Sequence, residues 1–469
     1  MPSKTRTEKD SLGTREIPAD AYYGIQTDRA IENFPISGLR AHPRFIDSYL
    51  YIKKAAAIAN GKAGVLPKAS AEALVKACDE ILSGKLRDQF PVDVFQMGAG
   101  TAFNMNVNEV ISNRANEILG RQKGEYAPVH PNDHANMGQS TNDTFPSAVR
   151  IALSFILREY LHGPLESLEK AFFWKGKEFD GVLKSARTHL QDAVPIRLGQ
   201  EFAAYGEAMR KSRASLLEAE KSLLELGLGG SAVGTGLNTT QGFREAILEE
   251  LGRLTGIKWV SAKDMREAMQ SQRPLAEVSS TLRNLCLEIT RIANDLRLLS
   301  SGPTTGLAEI HLPATAPGSS IMPGKVNPSI LEMANMVAFH VIGSDITVAL
   351  AAQAGQLELN VMMPVMAFEL NFSVTILGNA LKILCEKCVV GITADEERCR
   401  QYAEASLGLA TALNTFIGYA NAAEVAKETL CSKKTIVQVI REKKILSEEE
   451  IKKVMDPFRM TEPGIPGKS

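Results

Sequence analysis

A loop from Pro317 to Pro328 contains the residues best suited to chemistry. It reads PGSSIMPGKVNP, so two serine hydroxyls, the Lys325 ammonium and the Asn327 amide lie close together along the chain. Several prolines between Pro313 and Pro328 exclude a helix, and the Pro-Gly pairs predict turns. Glycines allow the backbone to approach a ligand closely. The loop is therefore predicted to bind an anion.

Two other interpretations of this loop are open. A phosphate-binding P-loop has four residues between its glycines and Ser or Thr after its lysine, whereas here five residues separate Gly318 from Gly324 and Val326 follows the lysine. A purely structural connector fits the Gly, Pro and Ser content. The functional interpretation is favoured because similar polar clusters recur elsewhere in the chain.

Two of these clusters precede predicted helices. The first, Gly98-Ala99-Gly100-Thr101, opens a helix with Thr101 as its expected N-cap. The second is Ser140-Thr141-Asn142-Asp143, before a helix expected to begin near Pro146. Backbone donors and hydroxyls at a helix N-terminus favour an anion. A simple capping role would need only one side chain of each cluster, and that alternative stays open.

The remaining cluster runs from Arg187 to Pro195. Thr188 and His189 lie beside Gln191 and Asp192, two side chains that can orient an imidazole ring. A structural histidine is the simpler interpretation. Function is favoured here because polar clusters recur along the chain.

Composition excludes several classes of protein. The chain has 469 residues, of which 44% are hydrophobic, 23% charged and 6% aromatic, as in ordinary globular proteins. With 53 basic and 54 acidic residues it has no electrostatic footprint for nucleic acid or a membrane surface. No signal peptide or long apolar run is evident, so a cytoplasmic protein is expected. The scattered cysteines, including Cys385 and Cys388, predict packed, reduced thiols.

Long amphipathic helices are predicted to position the clusters. Apolar residues recur three and four apart from Phe202 to Leu226 and from Leu275 to Leu299, and a third long helix is predicted from Ser329 to about Ala354. These lengths predict a mainly all-α fold with a long-helix bundle that associates into an oligomer. The predicted domains are an N-terminal domain (1–142), a central bundle (143–395) and a small helical C-terminal domain (396–469).

One glycine-rich motif is a decoy. Gly227 to Ala232 fits G-x-G-x-x-A, but it follows a long helix, whereas the dinucleotide fingerprint follows a strand. No nicotinamide cofactor is therefore expected.

The clusters together offer Ser, Thr, Asn, His and Lys but no paired carboxylates, metal-ligand spacing or G-x-S-x-G elbow. Hydrolysis by an acid pair, a metal or a serine elbow is therefore unsupported. Many neutral donors and one ammonium suit a small polycarboxylate whose negative charge grows during the reaction. Proton abstraction beside a carboxylate is such a reaction.

Four segments resemble conserved blocks of the aspartase/fumarase superfamily, and the resemblance extends over nearly the whole chain. They are GAGTAFNMNVNEV, PNDHANMGQSTNDTFP, RTHLQDAVP and GSSIMPGKVNP. The resemblance implies a central bundle flanked by two smaller domains, a homotetramer, and active sites shared between three subunits. The residues at 140–143 and 187–195 resemble the aspartate-deaminating branch more than the fumarases.

This resemblance also implies an activity and roles for residues. The activity is reversible elimination of ammonia from L-aspartate to give fumarate, without an organic cofactor or a metal. Ser319 would remove the Cβ proton, and His189 is grouped with it as catalytic. The substrate would be bound by Thr101, Ser140, Thr141, Asn142, Thr188, Ser320, Lys325 and Asn327, with Asn142 near the amino group. Fumarate hydration and a non-catalytic structural relative are the alternatives.

Overall fold

The structure is a computed structural model that describes residues 4–467. The helices and strands are, in order, β1 (Thr5–Asp10), β2 (Gly13–Pro18), α1 (Ile25–Asn33), α2 (Pro43–Lys62), α3 (Lys68–Leu82), α4 (Thr101–Ile118), α5 (Thr141–Ile156), α6 (His162–Glu178), β3 (Leu183–Thr188), β4 (Gln191–Arg197), α7 (Leu198–Glu220), β5 (Glu225–Leu226), α8 (Phe243–Thr255), β6 (Val260–Ser261), α9 (Met265–Gln270), α10 (Arg273–Leu299), β7 (Ile310–His311), α11 (Ser329–Gln353), α12 (Met363–Lys387), β8 (Thr393–Ala394), α13 (Glu396–Ala405), α14 (Asn414–Ile417), α15 (Tyr419–Ser432), α16 (Ile436–Glu442) and α17 (Glu448–Val454). The mainly-α prediction is confirmed.

The apolar periodicity correctly predicted the long helices. Every apolar position of the series in α10 is buried, from Leu275 at 0% to Leu299 at 5% exposure. In α7 the same holds for Phe202, Met209 and Leu216. The third long helix, α11, ends at Gln353, one residue before the predicted end. A stripe repeating every three to four residues forms one helix face, so its burial follows from the sequence.

Residues 1 to about 50, which the sequence predicts to be irregular, and the polar cluster at 187–195 both contain hairpins. Within residues 1–50, β1 pairs antiparallel with β2, and α1 follows. The cluster from 187 to 195 belongs to the β3–β4 hairpin, which turns at His189 and Leu190 with φ values of 53° and 63°. A two-residue hairpin turn with positive φ at both positions is a type I′ turn, for which Asn-Gly is a preferred sequence. His189-Leu190 stands in place of Asn-Gly, so the hairpin could not be predicted from the sequence of its turn.

Three predicted helix boundaries were wrong. Helix α4 has Gly100 as its N-cap, with φ 78°, and Thr101 is its first residue. Helix α5 begins at Thr141, so Pro146 lies inside it in the second turn, where the hydrogen bond to the Asn142 carbonyl is missing. A helix that the sequence predicts to end around Gly163-Pro164 does not end there: α5 continues through the π-helical turn Leu157–Leu161 into α6. The boundary near Pro146 was misplaced because a proline at a helix start usually occupies the first helical position.

The chain divides into two compact units. One comprises the chain up to His162, Ala214–Asn284 and Phe339–Leu377; the other comprises Gly163–Arg213, Leu285–Ala338 and the chain from Gly378 onward. These units do not test the predicted three-domain division, which stays a prediction. The first and last predicted domains include residues 1–3 and 468–469, which lie outside the described part of the chain.

Each unit has its own packed interior. In the first, the ring centroids of Phe45 and Tyr49 lie 5.5 Å apart, and each lies 5.1–6.0 Å from those of Phe103 and Phe145. In the second, buried residues from Leu409 to Met455 form a cluster of their own. All six cysteines are free; five are buried, as expected for packed thiols, and Cys431 is exposed. Burial raises the pKa of Cys388 to about 12, so that thiol is unreactive.

One described helix, α11, is long and apolar enough to cross a membrane by length and composition, although only 33% of its most apolar window is buried. Several of its large side chains are exposed, including Met336 at 67% and Ile346 at 61%. Such a row of exposed apolar residues typically marks a surface covered by another molecule.

Truncating Phe202 should destabilise the second unit. Its fully buried ring packs against Phe179 and Tyr205, with centroids 5.1 and 5.7 Å away. Phe202→Ala is expected to lower the free energy of unfolding by about 3–5 kcal/mol, because it leaves a cavity. Leu12→Ala, at a side chain that is 78% exposed, should change it by less than about 0.5 kcal/mol. Denaturant titration at fixed protein concentration measures both, and equal stabilities would contradict the prediction.

Candidate active site

The Ser319 loop, residues 317–328, is held in shape by its own backbone. The Ser319 amide donates to the Lys325 carbonyl at 2.9 Å, and the Lys325 amide donates to the Met322 carbonyl at 3.2 Å. Gly318 has φ 99°, and a Cβ there would lie 2.0 Å from the Lys325 carbonyl oxygen. Only glycine fits that position. The result is a compact, exposed turn with Ser319 at its start.

Within that turn the Ser319 hydroxyl is an acceptor. Its Oγ accepts hydrogen bonds from the amides of Ile321, at 3.3 Å, and Met322, at 3.1 Å. Donors aimed at an oxygen stabilise its negatively charged form. The local fold therefore favours an electron-rich oxygen at position 319.

The start of α5 carries a second group of predicted residues. Ser140 is the N-cap: its Oγ accepts from the Asn142 amide at 3.2 Å, and Asp143 accepts from the Ser140 amide at 2.9 Å, a capping box. Asp143 is fully buried. Its other oxygen accepts from the amides of Gly229 and Ser231, each at 3.0 Å. Backbone amides of the Gly227–Ala232 motif thus donate hydrogen bonds to a carboxylate of the protein itself.

Burial raises the pKa of Asp143 to about 6, while the three amides and Lys53 oppose that shift. Lys53 is also buried, at 1% exposure, and burial lowers its pKa to about 7. Its Nζ donates to Asn136 Oδ1, which also accepts from Asn104 and Asn108. The sequence analysis missed this polar interior. Three asparagines at alternate positions of α4 (104, 106 and 108) were the available signal, because buried amides must find partners.

Asn142 is oriented by one end of its amide. Its Nδ2 donates to the Ala232 carbonyl at 2.8 Å, which leaves Oδ1 without a partner in residues 4–467. That oxygen can accept a hydrogen bond from a ligand. The hydroxyls of Thr101 and Thr141 likewise have no hydrogen-bond partner in the described chain. Gly100 packs on the Phe145 ring, where a Cβ would approach to 1.9 Å, so α4 and α5 begin close together.

The His189 turn belongs to the β3–β4 hairpin of the second unit. Arg187 Nη1 donates to both carboxylate oxygens of Glu309 at 2.9 Å, and Lys184 Nζ lies 3.3 Å from the same fully buried group. Arg187 also lies over the Tyr402 ring at 5.2 Å. These contacts fix the hairpin, and thereby the exposed turn that carries Thr188 and His189. Glu309 was missed because an isolated acidic residue gives no local pattern.

The structure thus presents the predicted residues in separate groups. Thr101, Ser140, Thr141 and Asn142 lie in the first unit; the second holds the His189 turn and the Ser319 loop. Among residues 4–467 no hydrogen bond or ion pair joins that turn to that loop. Within this same range no intramolecular side-chain partner exists for Thr188, His189, Ser320, Lys325 or Asn327. Their polar groups are free to bind something else.

The described residues contain no group of three or more His, Cys, Asp or Glu side chains that could hold a metal ion. The arrangement instead supplies hydroxyls, amides and one ammonium. These groups donate hydrogen bonds to anionic oxygen.

Comparison with known families agrees with this chemistry. A family model described as Lyase matches residues 13–343, and one described as Fumarase C C-terminus matches residues 409–462. The chain therefore belongs to the lyase family that includes the fumarases, and the resemblance seen in the sequence motifs is confirmed.

The relatives within that family are more specific. The chain is 47% identical over 468 residues to an aspartate ammonia-lyase from a Bacillus species, covering 100% of both chains. It is 48% identical to the aspartate ammonia-lyase of Helicobacter pylori strain J99, covering 98% of both.

Solved structures share the fold. A fumarate lyase:delta crystallin from Brucella melitensis bound to cobalt superposes with a TM-score of 0.95 at 48% identity, covering 98% of this chain and 100% of that one. A class II fumarase from Schistosoma mansoni has the same TM-score at 35% identity, covering 98% and 99%. The fumarate lyase:delta crystallin and the class II fumarase therefore share the backbone fold of this chain.

Gly318 and Gly324 form a matched pair for testing the loop. Both have positive φ, but a Cβ at Gly324 would meet nothing within 4 Å. Gly318→Ala is expected to reduce turnover about a hundredfold or more, because the clash with the Lys325 carbonyl displaces Ser319. Gly324→Ala adds only about 1–2 kcal/mol of local strain and should cost less than tenfold. Steady-state kinetics with thermal unfolding as a control would show this, and equal losses would contradict it.

Asp143 should impose a pH dependence on stability. Its raised pKa means that the folded chain retains a proton which the unfolded chain has released between about pH 4 and 6. Stability from this group therefore falls as pH rises through that window. The difference in unfolding free energy between the parent protein and Asp143→Asn should decrease by about 1–3 kcal/mol from pH 4 to 7. Denaturant titrations at several pH values test this; a constant or increasing difference would refute it.

Proposed function

We propose that this protein catalyses the reversible deamination of L-aspartate to fumarate and ammonia. The observation that carries the proposal is the folded Ser319 loop in a chain matched end to end by aspartate ammonia-lyases. Identity to those relatives is 47–48%, against 35% to the class II fumarase. Fumarate hydration is the alternative outcome of the same assay.

In this reaction Ser319 removes the Cβ proton of the substrate. A serine hydroxyl is a weak base in water, so its alkoxide must be stabilised by nearby donors in a closed site. The amides of Ile321 and Met322 already point at its oxygen. Lys325, in the same loop, adds positive charge. Hydrogen bonds and a cation beside the charged form both lower the pKa of the hydroxyl.

The developing dianion is stabilised by donors from several segments. Thr101, Ser140, Thr141 and Ser320 bind the carboxylate next to the ionised carbon, and Lys325, Asn327, Thr188 and His189 bind the other. A donor that tightens as charge develops contributes about 3 kcal/mol, or roughly a hundredfold in rate. Asn142 Oδ1, free among the described residues, suits the amino group, because an ammonium is purely a donor.

Assembly completes the site. In the proposed homotetramer each active site takes segments from three subunits, which fits the separate groups found within one protomer. The exposed apolar side chains of α11 provide a surface for such association. The enzyme is proposed to be cytoplasmic and to need no organic cofactor or metal.

Ser319→Ala is expected to lower aspartate turnover at least a thousandfold, because the proton acceptor is lost. Ser320→Ala removes only one binding hydroxyl and should cost about ten- to a hundredfold. The ultraviolet absorbance of fumarate follows the reaction, with aspartate and then malate as substrate. Turnover retained by Ser319→Ala would remove that residue from its role.

Preferential turnover of malate would assign the protein as a fumarase. Absence of turnover with either substrate, in a correctly folded oligomer, would favour a structural relative.

A further inference from the structure

The side chain of Asn136 joins two helices to the start of a third. It follows the π-helical turn Pro131–Ala135 directly and is half-buried. Its Oδ1 accepts hydrogen bonds from Lys53 Nζ at 3.0 Å, Asn104 Nδ2 at 3.2 Å and Asn108 Nδ2 at 3.1 Å. Lys53 belongs to α2, and the two asparagine donors belong to α4. One carbonyl oxygen therefore links α2 to α4.

The nitrogen end of the same amide is bonded to the segment that leads into the candidate site. Asn136 Nδ2 donates to the Gln139 carbonyl at 3.1 Å, and the Gln139 amide donates back to the Asn136 carbonyl at 3.0 Å. These two hydrogen bonds close residues 136–139 into a turn. Ser140, the N-cap of α5, is the next residue. The position of the α5 start is therefore fixed relative to the Asn136 side chain.

The orientation of this amide follows from its neighbours. Three donors face Oδ1, whereas a carbonyl oxygen faces Nδ2. A reversed amide would place its NH₂ group against the Lys53 ammonium and its oxygen against the Gln139 carbonyl, so four favourable contacts would become repulsive. The Asn136 amide therefore has one satisfied orientation, which relates residue 139 to both helices.

Burial makes the contacts of this oxygen costly to lose. Lys53, Asn104 and Asn108 are each no more than 1% exposed. Asn136 Oδ1 accepts from Lys53 Nζ, and residues 4–467 offer that ammonium no other hydrogen-bond acceptor. A buried ammonium without an acceptor is strongly destabilising. The Asn136 side chain is thus held in place from the α2 and α4 side, and the α5 start follows it.

We propose that Asn136 is a positioning residue for the proposed deamination. It holds the start of α5 in register with the start of α4, so that the hydroxyls of Thr141 and Thr101 reach the same substrate carboxylate. Thr101 lies one helical turn before Asn104. A displacement of about 1 Å in such donors slows turnover about a hundredfold. This role rests on the proposed function, and Asn136 acts through the α5 start without contacting the substrate.

Asn136→Asp separates positioning from folding. The new carboxylate still accepts from Lys53, and the ammonium beside it keeps it ionised. It cannot donate to the Gln139 carbonyl, so the two oxygens repel and the α5 start moves. The kcat for aspartate should fall about ten- to a hundredfold with less than about a threefold change in KM, because the lost alignment acts on the charge that develops. The thermal unfolding midpoint should stay within about 5 °C of the parent's.

Asn421→Asp is the matched control. Asn421 Nδ2 likewise donates to a backbone carbonyl, that of Ile417, at 2.7 Å. It lies exposed in α15, which carries none of the site residues. Its kcat should equal the parent's. A merely structural role for Asn136 predicts full activity once Lys53 has an acceptor, so a kcat retained by Asn136→Asp would overturn the proposal. If Asn136→Asp fails to fold, Asn136→Ala decides by the same kcat ratio.

Hydrogen exchange on the full-length oligomer gives a readout that needs no turnover. Peptides covering residues 137–145 should exchange at least about tenfold faster in Asn136→Asp, whereas peptides from α10 should exchange as in the parent. Unchanged exchange at the α5 start would overturn the link from Asn136 to α5.

The parent protein distinguishes failure of this inference from failure of the proposed function. A parent that does not deaminate aspartate would overturn that function and the catalytic part of this proposal with it. The exchange result would still confirm or overturn the link from Asn136 to the α5 start. A parent that deaminates aspartate, with Asn136→Asp equally active, would overturn the positioning role alone.

Discussion

The buried carboxylate of Asp143 fixes one half of the candidate site. One oxygen accepts from the Ser140 amide and the other from the amides of Gly229 and Ser231, so the start of α5 and the glycine loop are tied to one group. A buried carboxyl group without donors would cost several kcal/mol, which makes these contacts obligatory. The Ala232 carbonyl that orients Asn142 lies in that same loop. The geometry of the first group of site residues therefore follows from a single buried acid.

The second group is organised by an analogous device. Glu309 is fully buried and binds Arg187 and Lys184, both on strand β3. In each unit a buried carboxyl group fixes a segment beside polar groups that have no partner among residues 4–467: the Thr141 hydroxyl and Asn142 Oδ1 in the first unit, and Thr188 and His189 in the second. Reactive groups are held best when the surrounding shell is rigid and its own hydrogen bonds are satisfied. The unpaired donors can then face a substrate without having to exchange partners first.

The sequence predicted the helices well because their apolar faces repeat with the helix period, as the buried series of α10 demonstrates. The sequence also indicated the family, because its short polar motifs can be recognised directly. The sequence did not predict the His189 hairpin, because Leu190 adopts a positive φ and leucine is not a residue typical of such turns. It also missed Asp143, Lys53 and Glu309 as organisers. Their roles arise from long-range burial, with partners more than eighty residues away in all three cases.

Helix α11 begins at Ser329, directly after the loop that carries Lys325 and Asn327. Its exposed apolar side chains, Met336 and Ile346 among them, favour contact with another chain over contact with water. Any contact that immobilises this helix also anchors one end of the loop. In the proposed homotetramer, catalytic competence and self-association would be thermodynamically linked, so dilution that separates the subunits would silence the active site before the protomers unfold.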